Sequence, residues 1–110
     1  MPDLDASFAA LADPTRRELV RLLSEPRQPS ELADALDLSR PATSRHLKVL
    51  REAGIIAIEM NEDDARTRTV RLNPEGFEPL REWLDEVEAF WGAQLAAFKR
   101  HAEKKKKSKR

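Results

Sequence analysis

At 110 residues, with no cysteine and a formal net charge of zero, the chain has room for one domain around one modest core. It has no means of building disulfide scaffolds, thiolate nucleophiles or cysteine-liganded metal centres. No apolar run approaches the roughly 18 residues of a membrane span, and the N-terminus lacks the basic start and apolar stretch of a signal peptide, so a cytoplasmic protein is expected.

Leu4, Phe8 and Leu11 recur at helical spacing before Asp13-Pro14 and predict a short first helix with one apolar stripe. Asp13 suits the cap of a second helix with Pro14 at its first position. Leu19, Val20, Leu22 and Leu23 give that helix its apolar face, and Arg16, Arg17 and Arg21 are expected on its solvated side. Pro29-Ser30 opens a third short helix, in which Leu32, Ala33 and Leu36 are apolar. Only Asp37-Leu38 separates it from the next periodic stretch, which is the tight joint of a helix-turn-helix.

Asp37 to Ile56 reads as one helix with two unlike faces. Ser39 is a good N-cap, Pro41 falls in the first turn where a missing N–H is tolerated, and Gly54 supplies the stop. At about 100° per residue, Thr43, Leu47, Leu50 and Ala53 share an inward side, and Pro41, Ser44, Arg45, Lys48, Arg51 and Glu52 the other. Residues 38–56 carry four basic side chains against one acidic, so a local positive face exists despite the zero total. The N-terminal part of a recognition helix enters the major groove most deeply, which places base contacts on Arg40, Pro41, Ser44 and Arg45, and phosphate contacts on Lys48 and Arg51. His46, at the boundary of the two faces, is expected to be a hydrogen-bonded structural residue.

Ile56, Ile58 and Met60 alternate with polar or small residues, and Arg66 to Leu72 resumes a β-branched pattern after an acidic turn, so the two runs predict a hairpin. Arg66 and Arg68 directly follow its tip and are assigned to the DNA backbone or minor groove. From Phe77 a helix of about 25 residues is expected, with Leu80, Leu84, Val87, Trp91 and Phe98 on steps of three and four, broadened by Trp83, Phe90 and Ala97. So wide a band exceeds what a small core covers, and a partner chain is the economical answer. Residues 75–103 hold three basic and seven acidic side chains, and the last seven residues add six positive charges. The domain is therefore set at 1–103, with 104–110 as a disordered basic tail.

Helix, turn, helix and hairpin is the order of a winged helix. The run PSELADALDLSRPATSRHLKVLREAGII, most specifically SRHLKVLREAGI, resembles the ArsR family of small bacterial winged-helix repressors, with the match extending from about Phe8 to Phe98. That resemblance implies a mainly α fold with a small β-hairpin: a winged helix-turn-helix with N- and C-terminal dimerisation helices. It further implies a homodimer on double-stranded DNA, seated on a palindromic operator, where it excludes polymerase. Leu4, Phe8, Leu11, Leu80, Leu84, Val87, Trp91 and Phe98 are assigned to the dimer interface.

Metal-sensing relatives carry paired cysteines in the third helix, where this chain has Ser30-Glu31-Leu32-Ala33, or an aspartate–histidine pair in the last helix, where no histidine lies two residues after Asp85. The resemblance is therefore to a branch without metal sites, and neither a metal nor another cofactor is expected; any small-molecule effector stays unassigned. The alternatives are a metal-responsive repressor with non-cysteine ligands and a winged-helix interaction module that does not bind DNA. An enzyme is not expected, because neither a glycine-rich phosphate loop nor a histidine in catalytic context is present.

Overall fold

Three prolines, each one or two residues after a capping position, start helices, and two left-handed residues end them. A computed structural model describes residues 3–108, with side chains through Lys104. Its elements are α1 (Leu4–Leu11), α2 (Pro14–Leu22), α3 (Pro29–Leu36), α4 (Arg40–Glu52), the strands β1 (Ile56–Met60) and β2 (Arg68–Leu72), a 3₁₀ turn at Pro74–Phe77, and α5 (Glu78–Ser108). The Asp13 carboxylate accepts from the N–H groups of Thr15 (2.7 Å) and Arg16 (3.2 Å), and Ser39 Oγ accepts from Ala42 N–H at 3.2 Å. Both are caps that satisfy orphan donors of a first turn. A third cap was not foreseen: Glu31 reaches back to accept from the Gln28 N–H at 3.0 Å, half of a capping box.

The stretch expected as one helix from Asp37 to Ile56 is helical only over Arg40–Glu52. Asp37 adopts φ 51° and caps α3, with Leu38 N–H donating to Ala33 O at 2.9 Å. Gly54 adopts φ 80° beyond α4, with Ile55 N–H bonding Leu50 O at 3.0 Å and Gly54 N–H bonding Arg51 O at 3.0 Å. Aspartate and glycine are among the residues that tolerate the left-handed region, and each turn closes on orphan carbonyls.

Residues through Pro79 form one compact unit. Leu19, Leu32, Leu50, Ile55 and Val70 are fully enclosed at its centre, and α3 and α4 pack against each other there. Thr43 is buried on the same side of α4, its hydroxyl donating to Ser39 O at 2.9 Å. From α1 the core takes Ser7 and Ala10 rather than the large apolar residues: Leu4 and Leu11 are half-buried and Phe8 is 41% exposed. Small side chains let α1 lie close to α2 and α4. The Ser7 hydroxyl is buried without a hydrogen-bond partner among the described residues. Ser7→Ala is therefore expected to raise the unfolding free energy by about 1 kcal/mol, read from a urea or guanidinium midpoint; a loss of stability would mean that the hydroxyl has a partner.

β1 and β2 pair antiparallel, with Ile56 opposite Leu72 and Ile58 opposite Val70. The expected inward face fades along the hairpin, because the strands leave the core: Ile56 is 2% exposed and Met60 57%. β2 starts at Arg68 rather than Arg66. Residues 61–67 are held as a turn in which Thr67 Oγ1 donates to Asp64 O at 3.0 Å and Asn61 N–H to Thr67 O at 3.2 Å. A separate bridge on the other edge of β2, which the sequence pattern does not signal, joins Arg27 to Val70 through paired backbone bonds of 3.0 and 2.7 Å. It ties the hairpin to the segment that leads into α3.

The helix from Leu80 onward is a second unit. α5 spans 31 residues and continues to Ser108, so 104–108 extend the helix instead of starting an irregular tail; lysine is a good helix former. Lys109 and Arg110 lie outside the described residues. Among the described residues no helix is long and apolar enough to cross a membrane.

Candidate nucleic-acid interface

α4 turns Thr43, Leu47 and Leu50 inward, and the opposite side, with Val49 at its edge, is left to solvent. Arg40, Pro41, Ser44, Arg45, Lys48 and Arg51 are all exposed, as the spacing predicts. Lys48 lies 4.0 Å from Glu52 with both side chains about two-thirds exposed, a pairing that costs little to break. Arg40, Arg45 and Arg51 make no ion pair with a carboxylate among the described residues. Three uncompensated guanidinium groups on one exposed helix form an anion-attracting surface.

Two clefts border the start of α4. One of about 150 Å³ lies between α3 and α4, lined by Ser30, Ala33, Arg40, Thr43 and Ser44. The other, about 300 Å³, lies between the hairpin and the first turns of α3 and α4, and Arg40, Arg66 and Arg68 all line it. Residues separated by 26 and 28 positions in sequence are thus brought to one place. Arg66 is 92% exposed and approaches Asp64 at 3.3 Å, and Arg68 Nη1 donates to Ala65 O at 2.9 Å. Of the acidic tip, Asp64 is therefore engaged by the hairpin's own Arg66.

One arginine of α2 is placed otherwise than expected. Arg16 is turned back onto the end of α1, donating to the carbonyls of Ala9 and Ala10, and only 17% of its side chain is exposed. Arg17 donates to Leu11 O and Ala12 O at 2.9 and 3.0 Å. A helix C-terminus presents unsatisfied carbonyls and negative partial charge, so these cations, five to seven residues downstream of the carbonyls they reach, fold back onto it. Arg16 Nη1 also lies 3.5 Å from His46 Nδ1, which links the half-buried histidine of α4 to the α1–α2 corner. Desolvation pushes the Asp13 carboxyl up, but the N–H donors of Arg16 and Thr15 and the charges of Arg16 and His46 outweigh it and hold it below its ordinary value. Arg17 stays exposed while making its carbonyl bonds, and Arg21 is 78% exposed beside Glu18.

On α5, Leu84, Phe90, Trp91, Leu95 and Phe98 are each more than half exposed, and Phe90 and Trp91 meet edge to face with centroids 5.2 Å apart. Leu95 was missed in the sequence, although it stands four residues after Trp91 and on the same side of the helix. Leu80 and Val87 are half-buried.

Residues 11–59 match the model of a helix-turn-helix domain family. Over 96 residues the chain is 43% identical to the HTH-type transcriptional regulator Rv2034 of Mycobacterium tuberculosis, covering 86% of this chain and 83% of that one. Among solved structures, an ArsR family transcriptional regulator superposes with a TM-score of 0.71 at 36% identity, over 81% of this chain and 90% of the other. An ArsR-like transcriptional regulator from Rhodococcus sp. RHA1 does so with a TM-score of 0.72 at 31% identity, over 91% and 90%.

Proposed function

The chain belongs to the ArsR family of winged helix-turn-helix transcriptional regulators, and from that premise we propose that it acts as a homodimeric repressor on a palindromic operator. As a DNA-binding regulator it shares a non-enzymatic role with its relatives. The observation that carries the proposal is the exposed face of α4, on which Arg45, Lys48 and Arg51 follow Ser44 down one side of a helix whose other side is core. In this reading α4 enters the major groove by its N-terminal half, Ser44 and Arg45 meet base edges, and Lys48 and Arg51 meet phosphates. The apolar band of α5 joins two copies, with Leu4, Phe8 and Leu11 of α1 assigned to the same interface. A dimer sets two such helices about 34 Å apart, one on each half of an inverted repeat.

Arg45→Ala is expected to weaken operator binding and flatten base preference by about 1–3 kcal/mol, whereas Arg51→Ala weakens operator and random DNA about equally. Fluorescence anisotropy with both duplexes at one salt concentration measures this. Equal losses on the two DNAs for Arg45→Ala would remove that residue from base reading.

Binding is also expected to be indifferent to metals, given a chain without cysteine and without the aspartate–histidine spacing of the last helix. Zinc, nickel, cobalt or copper titrated into the protein–operator complex should change affinity by less than about threefold. Stoichiometric, chelator-reversible release by any one of them would place a sensor site in the chain.

A further inference from the structure

The cleft between the hairpin and the starts of α3 and α4 has a composition that the expected roles of its residues do not explain. Arg40 was assigned to bases and Arg66 and Arg68 to the backbone or minor groove, yet all three line one cavity of about 300 Å³ together with Gln28, Ser30 and Thr67. Among the described residues no carboxylate lines it. Glu31 is engaged away from the arginines, by the Gln28 N–H at 3.0 Å and by Arg27 at 3.9 Å, and Asp64 meets the cleft only through its exposed pair with Arg66 at 3.3 Å. Among the described residues Arg68 donates to main-chain carbonyls of the hairpin's own turn, at 2.9 and 3.3 Å, bonds it can exchange for a stronger acceptor. Arg40 and Arg68, which make no ion pair among the described residues, and Arg66, whose exposed pair with Asp64 costs little to break, stand beside the hydroxyls of Ser30 and Thr67 and suit a tetrahedral oxyanion that accepts forked N–H bonds.

Position decides which oxyanion. Arg40 is the first residue of α4. When a helix enters a major groove about 12 Å wide by its N-terminus, the sugar–phosphate strand runs along the side of its first turn, and here that side faces the hairpin. We infer that Arg40, Arg66 and Arg68 together hold one backbone phosphate of each operator half-site in this cleft, so that Arg40 positions the protein and does not read sequence. The inference rests on the docking of α4 proposed above. Clamping a phosphate between α4 and the hairpin fixes the depth to which Ser44 and Arg45 reach the base edges, and this gives the otherwise acidic-tipped hairpin its part in binding.

The test scans operator duplexes in which one phosphate at a time is replaced by an uncharged methylphosphonate, against the wild-type protein and Arg40→Ala/Arg68→Ala. One position in each half-site should weaken wild-type binding about tenfold and leave the double variant no weaker than on the unmodified duplex. The slope of log K against log salt should fall by about 0.9 for each phosphate contact removed. The ratio of operator to random-DNA affinity should stay within about twofold of wild type. Both substituted residues are exposed, and a wild-type circular dichroism spectrum and melting curve confirm folding.

A scan in which wild type and double variant lose affinity at the same positions overturns the inference, as does a changed base preference for Arg40→Ala. Inorganic phosphate exchanged for chloride at matched ionic strength should have no effect; displacement of DNA under those conditions would give the cleft to a free anion and overturn it too. A wild-type protein that binds no DNA, or an Arg45→Ala variant that loses operator and random DNA equally, would instead bring down the docking of α4, which separates the two failures.

Discussion

Trp91→Asp is expected to yield a monomer that keeps its helical circular dichroism and loses operator affinity by two or more orders of magnitude. Six of the nine exposed large hydrophobic residues among those described sit on α5, and Trp91 is 54% exposed between Leu84 at 51% and Phe98 at 71%. An isolated helix is marginal in water, and a soluble monomer rarely displays so continuous an apolar band. A second copy that covers it gains about 1.5–3 kcal/mol for each large side chain fully buried, and two-fold symmetry counts every residue twice. A carboxylate at position 91 forfeits two tryptophans and buries two charges, a loss of more than about 3 kcal/mol and hence above a hundredfold in the dimer constant. Single half-sites hold a monomer poorly, so DNA affinity falls with assembly. Sedimentation velocity across micromolar concentrations reads the first effect and anisotropy the second. A wild-type monomer at micromolar concentration, or a variant dimer as tight as wild type, would assign the band on α5 to a different protein.

Gly76→Ala is expected to be the most damaging single methyl in the protein. Gly76 lies in the 3₁₀ turn, where an added Cβ would collide with the carbonyl oxygen of Gly54, approach its carbon at 2.7 Å and lie 3.3 Å from Ile55 Cα. All three are backbone atoms and none can swing aside. The turn after α4 and the 3₁₀ turn must separate, which strains the bonds from Asn73 to Gly54 O at 3.1 Å and to Ile55 O at 2.9 Å. Overpacking of this kind costs about 1–3 kcal/mol, and the upper end is expected because the clash is with main chain. Since the same turn ends α4, operator affinity should fall along with the denaturation midpoint. A Gly76→Ala protein with unchanged midpoint would show that the two turns are free to move apart.

Much of this was legible before any coordinates. Asp13-Pro14, Pro29 and Ser39-Arg40-Pro41 mark three helix starts because capping oxygens and proline act within a single turn. The inward set Thr43, Leu47, Leu50 and Ala53 follows from the helical period alone, and the hairpin's existence from alternation. Leu95 belongs to the same legible pattern, four residues after Trp91. What pattern could not supply was the direction in which long side chains turn. Arg16 and Arg21 sit on one short helix and are alike in composition, yet one is held to the carbonyls of α1 and touches His46 while the other stands in water.

The sequence by itself determined the element order, the two-faced α4 and the family, because caps, proline and periodicity are local and SRHLKVLREAGI is specific. Only the tertiary structure decided that α1 offers the core Ser7 and Ala10 in place of Leu4 and Phe8, that Arg27 bridges to Val70, and that Gly76 must have no side chain. It also gathered Arg40, Arg66 and Arg68 around one cleft. Each of these depends on which surfaces meet across dozens of residues of intervening chain, and close packing of that kind leaves no periodic trace along the sequence.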